Sequence, residues 1–308
     1  MTIHEASRLL LFQLQDLYEP REARNIADWV MENISGWTKI DRVVNKDSAL
    51  TPSQVKQLEN YAHELRAHKP VQYVLHEAWF YGMKLYVDEN VLIPRPETEE
   101  LVDWIVGEVG GRKSEVGPFA SPQATYQESN IRHQTSDFRP QILDIGTGSG
   151  CIALGLKKGL PQATVYACDI SAGALEVARK NASEQRLDIN LQQLDFLQED
   201  AWDALPVFDI LVSNPPYIPI RDKTGMAAHV LNHEPHLALF VANNDPLQYY
   251  KTIAAFAEAH LAPGGAIYME IYEEAGDTVL QLFREAGFAN TILRKDLQGK
   301  NRMVKASL

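Results

Sequence analysis

The 308-residue sequence predicts an α/β protein, a doubly wound, mostly parallel sheet preceded by a small helical domain. Three observations carry that prediction. From Gln141 onward, short apolar runs alternate with segments of helical period. Up to about residue 70, apolar residues recur at helical spacing. Between the first apolar run of the later region and the helix after it lies an alternating-glycine turn at Gly146, Gly148 and Gly150.

The elements follow in order. Ile3, Ala6, Leu10, Leu14 and Leu17 predict a first helix from Ile3 to Tyr18. Pro20 suits the first turn of a second helix. Thr51-Pro52-Ser53-Gln54 predicts a capped start for a third, ended by His68-Lys69-Pro70. Residues 71–93 change character. Gln72–Leu75, Ala78–Tyr81 and Lys84–Val87 read as short strands, with Gly82 at a bend, forming a hairpin that bridges two domains. Thr98 to Val109 reads as a helix, and 110–140 as a flexible polar insertion. Strands then end at Ile145, Cys168, Leu194 and Ser213. Leu247–Leu261 is a helix, Pro263-Gly264-Gly265 a turn and Ala266–Ile271 a strand. Thr278–Ala286 is a helix, and Phe288–Leu293 pairs antiparallel with Met303–Ala306. The expected domains are therefore 1–70 helical, 71–93 hairpin bridge and 94–308 sheet domain.

Chemistry gathers at the strand ends. Gly146-Thr147-Gly148-Ser149-Gly150 lets backbone pass close to a ligand before a helix N-terminus. The spacing departs from the dinucleotide pattern, and Asp144 opposes a diphosphate while suiting a sulfonium or ammonium. Asp169 falls about 25 residues after Asp144, where related sheets hold a ribose diol. Asp195-Phe196 ends the next run, where an aromatic beside an acid can hold an adenine. Taken singly, Asp169 is more often a helix cap and Phe196 more often core; together, Gly146–Gly150, Asp169, Asp195-Phe196 and Asn214 fall at the carboxyl ends of four consecutive strands, the ligand-binding edge of an open parallel sheet.

Asn214-Pro215-Pro216-Tyr217 closes the run Phe208–Ser213. Two prolines stop the strand because neither can donate to a ladder. The Asn214 side-chain carbonyl and the Pro215 carbonyl can both accept from a planar –NH2, with the Tyr217 ring against its face. The slot suits chemistry on an amide or an exocyclic amine.

With Asp169, Asp144-x-Gly146-x-Gly148-x-Gly150 resembles the S-adenosylmethionine site of class I methyltransferases. Asn214-Pro215-Pro216-Tyr217 narrows the resemblance to amino-methylating members. Leu92-Ile93-Pro94-Arg95-Pro96-Glu97-Thr98-Glu99 and Arg294–Arg302 resemble the peptide chain release factor glutamine methyltransferases. That resemblance runs from about Pro20 to Val304. It implies a seven-stranded methyltransferase sheet and a substrate-docking role for the helical domain. It implies S-adenosylmethionine as cofactor, leaving as S-adenosylhomocysteine, and the glutamine of the Gly-Gly-Gln motif in class 1 release factors as substrate. Cofactor contacts fall to Gly146, Thr147, Gly148, Ser149, Gly150, Asp169, Asp195, Phe196 and Asn214. Catalysis falls to Asn214, Pro215, Pro216 and Tyr217. Glutamine in a large-subunit ribosomal protein is the nearest alternative substrate. An adenine or guanine amine in nucleic acid is a more distant one, and a scaffold without turnover is the non-enzyme alternative.

Bulk properties narrow the field. A net charge of −12 disfavours direct binding of a nucleic-acid backbone and leaves room for a protein partner. No apolar run approaches a membrane span, and Met1–Ala6 lacks a secretory pattern, so a cytoplasmic protein is expected. The two cysteines, Cys151 and Cys168, read as buried thiols in a reducing compartment. His229, His233, Glu234 and His236 have metal-like spacing, but Pro235 breaks any helix that would align them, so no metal is expected.

Overall fold

The computed structural model describes residues 1–111, 139–226 and 228–308. Most of the 110–140 insertion therefore lies outside the described residues. The chain divides into two compact units, Met1–Glu77 with Met226–Glu234, and Ala78–Gly225 with Pro235–Leu308.

The smaller unit is helical: α1 (Ile3–Leu14), α2 (Pro20–Ser35), α3 (Lys39–Val44), α4 (Pro52–Arg66) and α5 (Val71–Leu75), with α9 (Ala228–His233) added from later in the chain. The ends are set locally. Pro20 and Pro52 occupy first turns, and Thr51 forms a reciprocal box with Gln54 ahead of α4. Gly36, at φ 68°, ends α2 in the left-handed conformation. Leu10, Leu14, Val30, Met31 and Leu65 are almost fully buried in one core.

The strand expected at Gln72–Leu75 is the helix α5. Pro70 presets the first turn, its carbonyl accepting from Tyr73 and Val74 N–H at 3.0 Å each. Burial of Tyr73, Val74 and Leu75 then outweighs their β preference.

The larger unit opens with the hairpin β1 (Ala78–Phe80) and β2 (Met83–Leu85). Tyr81 and Gly82 both have positive φ, the requirement of a type I′ turn. Both strands of the hairpin fall within this unit. Phe80, Met83 and Leu85 share a core with α6 (Pro96–Val109) and α7 (Cys151–Gly159).

The main sheet contains β3 (Gln141–Ile145), β4 (Thr164–Asp169), β5 (Asn190–Gln193), β6 (Phe208–Ser213), β9 (Leu261–Glu270), β10 (Asn290–Lys295) and β11 (Asn301–Ser307). A separate two-residue pair joins β7 (Ile218–Pro219) to β8 (Phe240–Val241). The seven-stranded order is β10-β11-β9-β6-β3-β4-β5. Strands β9, β6, β3, β4 and β5 are parallel, and β11 and β10 close the sheet antiparallel. Central strands alternate between two apolar faces. Ile142, Val165 and Ile210 pack on the α6 and α7 side. Leu143, Cys168 and Leu211 pack with α11 (Gln248–His260) and α12 (Gly276–Glu285).

Pro263-Gly264-Gly265, expected as a turn before the strand, lies within β9 as an irregularity. Phe208 pairs with Leu261, and Ile210 then pairs with Ala266. Gly265 is needed there because an added Cβ would come within 2.8 Å of the Asp209 carbonyl. The remaining α-helices among the described residues are α8 (Ala172–Gln185) and the short α10 (His236–Leu239).

Candidate active site

The strand order explains why the predicted residues meet. β6, β3, β4 and β5 are successive neighbours, so Asn214, Gly146–Gly150, Asp169 and Asp195 follow one another along the carboxyl edge of the sheet. Ile145 and Ser213 are register partners, and Ser213 Oγ donates to the Ile145 carbonyl at 2.7 Å. The residues just before Gly146 and Asn214 are thus bonded to each other.

The glycine loop is held from beneath. Gly146 and Thr147 N–H donate to the Cys168 carbonyl at 2.9 and 3.0 Å. Thr147 Oγ1 donates to Asp144 Oδ2 at 2.6 Å, and Ala153 N–H donates to the same oxygen at 3.1 Å. Gly148 N–H donates to Asp169 Oδ2 at 2.9 Å, and Ser171 N–H to Oδ1 at 2.9 Å. Asn181 on α8, fully buried, donates to the Ser149 carbonyl at 2.9 Å. The side chains of Thr147 and Ser149 are buried.

Above the loop the space is open. Gly146 and Gly148 have φ of +75° and +54°, and a Cβ added at either would meet nothing within 4 Å. At Gly150 it would come 3.2 Å from the Ala178 Cβ, so that glycine serves close helix approach instead. Asp144 is wholly buried, and its Oδ1 has no hydrogen-bond partner among the described residues. Burial pushes its carboxyl up to about 7, against hydrogen bonds from Thr147 and Ala153. An open cradle over an orphaned acid fits a ligand bearing positive charge.

Phe196 is placed differently from expectation. Its ring lies in the core, with centroids 5.0 Å from Phe256 and 5.6 Å from Trp202. The adenine-holding face predicted for it is thus turned inward, because the aromatic core behind β5 takes the ring. Asp195 remains partly accessible, its Oδ1 accepting from Leu197 N–H at 3.1 Å. Sequence reasoning missed Tyr249. Its phenol is pushed above its ordinary range by burial, and further by the charges of Asp195 and Asp169.

The Asn-Pro-Pro-Tyr segment sits on a buried network. Asn214 Nδ2 donates to Thr98 Oγ1 at 3.2 Å, and Thr98 Oγ1 donates to Glu270 Oε2 at 2.7 Å. Tyr217 OH donates to Glu270 Oε1 at 3.0 Å. Glu270 is 1 % exposed. Burial pushes its carboxyl upward, countered by those two donors and by Arg302. Tyr217 has its phenol pushed well above its ordinary range by burial and Glu270, so it keeps its proton. Its ring also faces Tyr272 at 6.2 Å between centroids. Glu270 was missed as well. The available signal was an acid within the apolar run Ala266–Ile271 at a strand's carboxyl end, the same signal that marked Asp144.

The histidines have other placements. His233 Nε2 donates to the Ala67 carbonyl at 3.3 Å, and His236 lies edge-on to Phe240. Among the described residues no group of three or more His, Cys, Asp or Glu is arranged to hold a metal ion, and no helix is long and apolar enough to cross a membrane.

The PrmC N-terminal domain family matches residues 5–75, and the Methyltransferase small domain family matches residues 129–240. A protein of Flavobacterium psychrophilum named release factor glutamine methyltransferase is 38% identical over 294 residues, 96% of this chain and 95% of that relative. One of the same name from Streptococcus pneumoniae is 39% identical over 295 residues, covering 95% and 94%. A solved human methyltransferase 10 domain containing protein superposes with a TM-score of 0.50 at 17% identity, covering 74% of this chain and 89% of that one. At that identity it speaks for the fold alone.

Proposed function

The chain belongs to the release factor glutamine methyltransferase family, and we propose that it methylates the side-chain amide nitrogen of the Gly-Gly-Gln glutamine in class 1 peptide chain release factors, drawing the methyl from S-adenosylmethionine. The observation carrying this reading is the direct bond between the strand ends that bear the glycine cradle and Asn214. A methyl donor and a flat nitrogen acceptor bound there would lie side by side.

The residues fit the cofactor. Gly146 and Gly148 leave open space, Asp144 offers a buried carboxyl oxygen without a hydrogen-bond partner among the described residues, and Asp169 and Asp195 follow along the edge. Asp169, Asp195, the Asn214 region and the backbone of Gly146–Gly150 would hold it, with Phe196 contributing through its backbone. When bound, the group supplies an electrophilic methyl on a sulfonium sulfur.

An amide nitrogen is a poor nucleophile because its lone pair is shared with the carbonyl. Asn214 Oδ1 and the Pro215 carbonyl accept from its two N–H groups, fixing its plane and favouring the positive charge that builds on nitrogen. Pro216 and Tyr217 flank the amide and exclude water. The proton is released after methylation, so no strong base is needed beforehand. Orientation at near-attack distance lowers the barrier, an effect that can reach several kcal/mol. The helical domain of residues 1–70 serves as the dock for the release factor body, and the reaction belongs in the cytoplasm.

The test is transfer of labelled methyl by the full chain, with a class 1 release factor, a large-subunit ribosomal protein and an oligonucleotide offered in parallel. Mass spectrometry should locate the label on the Gly-Gly-Gln glutamine. Label on either of the other two overturns the substrate assignment.

A further inference from the structure

The network beneath Asn214 has a direction, and the direction decides which end of the Asn214 carboxamide meets the substrate. A threonine hydroxyl has one proton to give. Thr98 gives it to Glu270 Oε2 at 2.7 Å. Its oxygen can then only accept from Asn214, so the group facing it at 3.2 Å must be the –NH2. The carbonyl oxygen Oδ1 is the end left for a ligand.

We propose that Thr98 and Glu270 are positioning residues that lock the Asn214 carboxamide with its acceptor end toward the substrate. The inference rests on the functional reading above and deepens it. A reversed carboxamide would set –NH2 against the –NH2 of a substrate amide, donor against donor, and could not orient it.

Three further observations support the lock. Glu270 ends β9, the sheet neighbour of β6, so one carboxylate accepts from Tyr217 directly and is linked to Asn214 through Thr98. Tyr217 keeps its proton and donates to the other oxygen, which leaves both carboxylate oxygens as acceptors. Arg302, held by Asp296 at 3.2 Å, acts with the two donors against the burial that pushes the Glu270 carboxyl upward. The two segments that carried the sequence resemblance thereby acquire a common purpose. Pro94–Glu99 supplies Thr98, third residue of α6, and Arg294–Arg302 supplies the balancing charge.

Glu270→Gln separates orientation from packing. The amide carbonyl introduced by this substitution can still accept from Tyr217, while the new –NH2 donates to Thr98 and drives the Thr98 proton toward Asn214. The lock is inverted with little change in shape. Thr98→Val removes the link, and Thr98→Ser restores it.

With purified release factor as substrate, Glu270→Gln and Thr98→Val should lower kcat on the order of a hundredfold. S-adenosylmethionine affinity by calorimetry should stay within about threefold of wild type, a change under about 1 kcal/mol. Thr98→Ser should recover most of kcat. Near wild-type kcat in both damaging variants, or no recovery in Thr98→Ser, overturns the lock. A second arm needs no substrate. In protein labelled with 15N-asparagine, the Asn214 –NH2 signal, assigned by its loss in Asn214→Asp, should show slowed proton exchange that Thr98→Val abolishes. Exchange unchanged by Thr98→Val overturns the lock. A wild-type enzyme that leaves the release factor unmethylated but retains the protected signal overturns the substrate assignment and supports the lock.

Discussion

The roles proposed for Asn214 and Asp169 on one sheet edge differ, and substitution should separate them. Asn214→Ala should reduce kcat at least ~100-fold, with cofactor affinity much less affected. Asp169→Ala should weaken S-adenosylmethionine about tenfold or more, since it removes a charged acceptor that also ties Gly148 and Ser171. Calorimetry on both variants tells the roles apart; unchanged affinity in Asp169→Ala removes that acid from the site. Asp144 makes a prediction about pH. Its carboxyl holds a proton up to about 7 in the folded chain against an ordinary value of 3.8. Between those values the folded state binds more protons than the unfolded one, so this group's contribution to stability falls as pH rises through the window. Without cofactor, Asp144→Asn should melt higher than wild type above pH 7, with the gain vanishing near pH 4. Melting curves that differ equally at both pH values sink this account. The acids and glycines were legible in sequence because each closes its own apolar run. Thr98 was not, because its partner Glu270 lies 172 positions along the chain and a threonine near a helix start carries no signature of that contact.

Among elements, the glycine loop and its following helix are the most constrained. Gly146→Ala places a side chain in the cradle and forces it to φ near +75°. The left-handed conformation costs about 1–2 kcal/mol for a residue with a Cβ. Thermal unfolding should show a loss of that order, and cofactor binding a further loss from filled space. Helix starts were readable because capping is local chemistry: Thr51, Pro52 and Gln54 act within one turn. The same locality failed at Gln72–Leu75, where aromatic and β-branched residues suggested a strand. There Pro70 and the surrounding core decide the conformation, and neither influence shows in strand propensity. The Pro263–Gly265 irregularity was likewise invisible, because a break in pairing depends on the partner strand β6.

For the whole molecule, the −12 net charge sets its relation to nucleic acid. An oligonucleotide offered at ~150 mM salt should keep its electrophoretic mobility at micromolar enzyme, since affinity for a bare backbone comes from neutralised phosphates. A retarded band would reopen the base-methylation reading. The doubly wound sheet was legible from alternation alone, and its closing antiparallel pair from two short apolar runs near the end. The allotment of Met226–Glu234 to the helical unit was not, because that segment lies far along the chain from the helices it joins. The sheet's two outermost strands have a consequence for handling the protein. β5 is four residues of Asn-Leu-Gln-Gln, and β10 ends in Arg294-Lys295. One border is too short and polar, the other too cationic, to recruit a stranger's backbone. Concentrated stocks should therefore resist the ladder-like polymerisation to which open sheets are prone.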